Sequence, residues 1–184
     1  MQKKQSLQEY HKMESIASFS LTKGNHGYFI FVKNFRKERD EILFHFDPGA
    51  GFSMIGLNTI TQNDREKEIL KDIIIRRMSE ESIKPYDYPV KTVTKEEVII
   101  YPCRISDIEI GETHRDKFYF HLFLGDINNP LLGFDYSDDC YYIHRMGGDI
   151  EVIAVSDKAG EKNYPDKVLD FDKVLELFYK EIEN

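Results

Sequence analysis

Residues 111–154 read GETHRDKFYFHLFLGDINNPLLGFDYSDDCYYIHRMGGDIEVIA, and the fold turns on how this stretch is read. Apolar and aromatic residues alternate with polar ones in short runs, and the clusters GETHRD, GDINNP, YSDD and MGGD break the runs apart. Alternation at period two over runs this short argues for strands, and Gly, Asn and Asp supply the turns between them. The pattern predicts strands over 117–124, 130–135, 140–146 and 150–156, preceded by 90–94, 97–101 and 104–110. Tight turns between closely spaced strands imply an antiparallel meander, since parallel strands need a long crossover.

Upstream, HGYFIFVKNF (26–35) sets Tyr28, Ile30 and Val32 on one face and Phe29, Phe31 and Phe35 on the other. ILFHFD (42–47) sets Ile42, Phe44 and Phe46 opposite Leu43, His45 and Asp47, and the two runs form a predicted hairpin. PGAGFSMIGLN (48–58) is a glycine-punctuated connection with room for a short strand. The period then changes. From Asn63 or Asp64, a capping position, Ile69, Leu70, Ile73, Ile74 and Met78 make one helical face, with Arg76 and Arg77 near the end that favours cations. A second helix closes the sequence. Asp170 stands at its N-cap, Leu169 can staple onto Val174, and Val174, Leu175, Leu177, Phe178 and Ile182 form the stripe. The expectation is one α+β domain over 1–184, a mostly antiparallel sheet (hairpin plus C-terminal meander) with two main helices on one face. Residues 1–18 are expected as a loose helix or arm.

A chain of 184 residues buries about 70% of the surface its unfolded form exposes, enough for a core without staples. Its formal net charge is -8, unevenly spread. Residues 1–39 hold eight Lys and Arg against three Glu, so the acidic excess lies beyond them. An acidic body disfavours nucleic acid and anionic membranes and suits a basic protein partner. Two cysteines, Cys103 and Cys140, make no disulfide framework, and no apolar run approaches the roughly 20 residues that span a bilayer. A cytoplasmic protein with free thiols is expected.

The segment FDYSDDCYYIHRMGGD (134–149) concentrates acids, a thiol and an imidazole. In a strand Cys140 and His144 lie about 13 Å apart. Ligands of one zinc ion lie within about 4 Å of each other, so no metal is expected there. DYSDD lacks the glycine and distal Glu of a calcium loop, and DPGAGF (47–52) lacks the further glycine or GK[ST] of a phosphate-binding loop and reads as a tight turn. The basic run KNFRKER (33–39) suits a solvated turn better than a phosphate backbone. No cofactor is expected.

Two functional surfaces remain. Asp135, Tyr136, Asp138, Asp139, Tyr141, Asp149 and Glu151 interleave carboxylates with tyrosines on a hairpin, a docking surface in which aromatic area binds and charge steers. His45, Tyr119, His121, Tyr142 and His144 alternate away from apolar neighbours and form, if their strands present one face, a shallow ligand or hydrolase surface. The layout LLGFDYSDDCYYIHRMGG followed by VLDFDKVLELFYK resembles the tail of the SMI1/KNR4-type immunity fold. The resemblance covers the last third of the chain. The family's LP-containing helix entry and Asn-Gly-Gly turn are not here, and no residue role carries over. It implies an inhibitor or immunity-type protein that neutralises a basic toxin or nuclease domain. The alternative is a small hydrolase or ligand-binding protein using the histidine-bearing face.

Overall fold

A computed structural model describes residues 17–24, 27–36, 41–47, 49–92, 95–111, 113–133, 135, 140–144, 150–154 and 164–184. Its centre is a barrel. Strands β2 (Gly27–Lys33), β3 (Glu41–Phe46), β9 (Leu131–Leu132), β4 (Met54–Gly56), β8 (Thr113–Phe123) and β7 (Ile100–Ile110) pair in that order. Val32 and Lys33 then pair with Ile110 and Glu109, so β2 meets β7 and the circle closes. Closure removes sheet edges that would otherwise offer unpaired backbone.

β1 (Ala17–Gly24) uses the other half of β2, aligning Thr22 with Phe29, and then leaves it to pair with β11 (Ile150–Ala154). β10 (Cys140–His144) completes a hairpin with β11, as expected from the sequence, and β12 (Leu169–Asp170) lies along β7. β5 (Val90–Lys91) and β6 (Glu97–Val98) form a separate small pair. Ala17 and Ser18, expected in a loose arm, belong to β1.

The α+β class stands, but the mostly antiparallel meander is corrected. β3–β9, β4–β8 and β12–β7 are parallel pairs, so the sheet is mixed. After β8 the chain does not turn back as a hairpin. Asn58 takes both backbone groups of Ile127, donating from Nδ2 to its carbonyl at 2.6 Å and accepting its N–H at 3.0 Å. Leu57 N–H donates to the Gly125 carbonyl at 2.8 Å. Gly56 permits this approach, since a Cβ there would lie 2.6 Å from that carbonyl oxygen. The 124–130 segment is thereby led across, and β9 inserts between β3 and β4. Of residues 97–101 and 104–110, expected as two strands, Glu97 and Val98 stay apart as β6, while Ile100 and Tyr101 run on into 104–110 as β7 through Pro102, which pairs with His121 on β8.

Aromatic packing fills the interior. Phe35, Phe44, Phe118, Phe120 and Phe171 are buried and in ring contact, with centroids 5.3–6.4 Å apart. Phe35 was expected on the face of Phe29 and Phe31. Asn34 adopts φ 63°, which breaks the alternation and returns Phe35 to the core.

Helix α1 (Asp64–Glu80) starts where expected: Asn63 accepts the Glu66 N–H at 3.0 Å. Leu70, Ile73, Ile74 and Met78 are its buried face. Helix α2 (Phe171–Ile182) buries Phe171, Val174, Leu175 and Phe178. The helices pack on each other, and α2 also meets β7. Asp170 occupies the α2 N-cap, yet its carboxylate reaches Arg104 at 3.4 Å instead of capping. No described helix is long and apolar enough to cross a membrane.

Candidate functional site

One row of register partners crosses the outer face of the barrel: Phe29, His45, Leu131, Met54, His121 and Pro102. His45 and His121 both stand in this row, and each alternates with core residues on its strand. They do not share a site. Two strands separate them, about 14 Å at ordinary strand spacing. His45 stacks on Phe29 with centroids 5.1 Å apart. Tyr142 and His144 lie on β10, aligned with Val152 and Ile150, and β10 reaches β3 only through β11, β1 and β2.

Around His121 the chain builds a dense polar and aromatic cluster. Ser53, at the end of the loop after β3, is its hub. Its N–H and Oγ–H both donate to Asp135 Oδ1 at 2.7 Å, its Oγ accepts the Gly133 N–H at 3.0 Å, and its carbonyl accepts the His121 N–H at 2.8 Å. The Tyr164 hydroxyl donates to Asp135 Oδ2. Gly133 admits the loop, since a Cβ there would stand 2.4 Å from the Phe52 carbonyl group. Asp135 is 2% exposed. Expected on an exposed docking surface, it is instead an internal anchor, because loop 49–53 and Tyr164 bring donors to it that a linear sequence cannot foretell.

Rings cover the imidazole. Phe52, Tyr86 and Tyr164 lie 4.7, 5.7 and 4.7 Å from His121, centroid to centroid, and Tyr119 packs on Tyr164 at 5.3 Å. Burial lowers the His121 pKa from 6.5 to about 4, so the ring is neutral at pH 7. Burial, reinforced by the Asp135 charge, holds the Tyr164 phenol well above its ordinary range and keeps it a donor. Burial likewise pushes the Cys103 thiol up, which leaves it unreactive.

Asp47 borders this cluster. It follows His45 by two residues, immediately beyond β3, and is half-buried. Its N–H donates to the Leu132 carbonyl at 3.0 Å, its carbonyl accepts the Ala50 N–H at 3.0 Å, and its Oδ1 accepts the Gly49 N–H at 2.9 Å. The turn expected at 47–52 is therefore present, and it fixes a carboxylate.

Of the expected docking residues, Tyr136, Asp138, Asp139 and Asp149 lie outside the described residues. Tyr141 and Glu151 fall on β10 and β11. In the basic run, Arg36 is 5% exposed and Lys33 pairs with Glu41 at 3.5 Å, so these two cations offer little to a phosphate backbone. Elsewhere, Asp107, His114 and Asp116 bring potential metal-ligand atoms within 4.8 Å of one another on an exposed surface. That trio is met as ordinary surface pairing, His114 lying 3.5 and 3.4 Å from the two carboxylates. Sequence reasoning missed Asp47, Phe52, Ser53, Tyr86 and Tyr164 as a group. The legible signal was modest: a strand ending in Asp-Pro-Gly, and single aromatics set in polar loops.

No protein family matches the chain, and no curated protein does. Among solved structures it is similar to the crystal structure of a retropepsin-like aspartic protease from Rickettsia conorii, at 14% identity and a TM-score of 0.43, over 75% of this chain and 91% of that one. At that level the likeness assigns neither a fold family nor an activity.

Proposed function

We propose that the protein is a carboxylate-dependent hydrolase whose acid–base group is Asp47. The supporting observation is the setting of that side chain: half-buried at a strand end, with one oxygen held by Gly49 N–H and with backbone bonds on both sides. Oδ2 has no hydrogen bond among the described residues. A general base needs such an oxygen, presented at fixed geometry to a water molecule. The buried Ser53–Asp135–Tyr164 bonds stiffen the loop that follows, a supporting layer of the kind precise sites require. In the step proposed, Asp47 takes a proton from water as its oxygen bonds to an acyl or phosphoryl centre. It then returns the proton to the leaving group as the scissile bond breaks. His45 and His121 share this outer face, but neither is placed to replace Asp47: one is stacked on Phe29 and the other is roofed.

The test is cleavage of a panel of peptides, esters and phosphoesters between pH 3 and 8, followed by mass spectrometry in ¹⁸O-water. The wild type should incorporate label into one product. Asp47→Asn should lower turnover by about 10²–10⁴-fold at an unchanged melting temperature. Wild-type turnover by that variant, or no cleavage of any substrate by the parent, would sink the proposal.

A second reading, neutralisation of a basic toxin-like or nuclease-like protein by the acidic hairpin, has the antiparallel β10–β11 pairing in its favour, since Tyr141 and Glu151 of that surface fall on those two strands. Reversing Asp138, Asp139 and Asp149 to Lys should then slow association more than it speeds dissociation. Both readings are proposed for a cytoplasmic protein.

A further inference from the structure

His121 is 1% exposed, and its Nδ1 meets no hydrogen-bond partner among the described residues. Buried polar atoms are normally satisfied, so an orphan of this kind asks for an explanation. Its surroundings are specific. Rings from three separate loops close over it: Phe52 from 49–53, Tyr86 from 83–89 and Tyr164 from 164–168. They are not held alike. Tyr164 is tied through its hydroxyl to the buried Asp135, and it stacks on His121 at an interplanar angle of 28°. Tyr86 is 39% exposed and meets His121 edge-on at 86° and Phe52 at 65°. Its backbone N–H is anchored to the Ile100 carbonyl, so the ring can swing out while the chain stays in place. A rotamer change of one half-exposed ring is a small motion.

We propose that His121 forms the floor of a closed binding site for a small planar heteroaromatic molecule carrying an N–H. The molecule takes the place of the Tyr86 ring, packs against Phe52 and Tyr164, and donates its N–H to His121 Nδ1. The ring layer selects a flat aromatic body, because aromatic faces and edges pack best on one another. The imidazole selects the polar edge. Neutral imidazole has one donor and one acceptor nitrogen, and assigning the proton to Nε2 leaves Nδ1 an acceptor. A donor-bearing ring satisfies the orphan nitrogen, whereas a purely apolar ring leaves it unpaired. The site does not depend on Asp47 as a catalytic group. The D47N variant should bind the same probes, so failure of either proposal leaves the other open to its own test.

The experiment is a titration of histidine-labelled protein, followed by NMR, with indole and with benzothiophene, a ring system of similar shape that lacks the N–H. Indole should shift the His121 ring resonances saturably, with benzothiophene binding about fivefold more weakly. Tyr86→Ala, which removes the covering ring, should tighten indole binding about tenfold. His121→Phe should make the two probes equal. If that variant fails to fold, the wild-type and Tyr86→Ala titrations still decide. Equal affinity for the two probes in the wild type would overturn the proposal. So would shifts at His45 or His114 in place of His121, no saturable binding, or a Tyr86→Ala variant no tighter than the parent.

Discussion

A histidine that must stay neutral ties folding to pH, and at His121 the sign is definite. Its pKa is lowered from 6.5 to about 4 in the folded chain, by burial. Between those values the unfolded chain binds a proton that the folded chain refuses, so stability rises with pH across that window. The contribution is fully present above about pH 6.5 and is lost as pH falls toward 4. A shift of this size corresponds to something on the order of 3 kcal/mol. Urea midpoints measured from pH 4 to 7.5 should therefore climb more steeply for the wild type than for His121→Gln. Parallel curves for the two proteins would mean that the imidazole titrates freely and that the ring cover is open in solution. Asp135 teaches the complementary lesson. A carboxylate in an acidic tyrosine-rich stretch looks like surface, yet the Ser53 and Tyr164 donors draw it inside.

Elements are placed in this protein by close approaches at two glycines. At Gly133 a methyl group would stand 2.4 Å from the backbone of Phe52, and backbone cannot yield as a side chain tip can. Gly133→Ala should cost about 2 kcal/mol or more through strain and through displacement of Ser53 from Asp135. Gly51, with nothing within 4 Å of its would-be Cβ, is the control: Gly51→Ala should change stability by less than about 1 kcal/mol. Thermal melts of the two variants separate the effect of a blocked close approach from that of a Gly→Ala change as such. Helix α1 needs no such help. Its cap, its acidic first turn and its apolar stripe are all local, and each is found where periodicity puts it.

At the scale of the molecule, barrel and helices share one core cluster that runs from Ile30 on β2 to Phe178 on α2. Elements that bury each other's apolar faces have no independent stability, so unfolding should be a single transition. Far-ultraviolet circular dichroism, reporting backbone, and tyrosine fluorescence, reporting packing, should give coincident melting curves, with more strand than helix in the spectrum. A separate early transition in either probe would show that α2 leaves the barrel before the barrel itself melts.

By itself the sequence determined what is local. The two helices, the β10–β11 hairpin, the inward faces of β3 and α1 and the class α+β follow from periodicity, because a period of two or of 3.6 decides which side chains can be buried together. The turn at Asp47 was legible on the same grounds. Only the tertiary structure decided which strands pair beyond those joined in local hairpins. The hairpin expected after β8 gave way to a crossover because Asn58, distant in sequence, captures both backbone groups of Ile127. Phe35 changed faces because Asn34 left the extended region. The cluster of Ser53, His121, Asp135 and Tyr164 draws on four separate segments. Ser53 and Tyr164 are unremarkable in their own windows, and the hydrogen bonds that join the four exist only once barrel closure and the inserted β9 have brought those segments together.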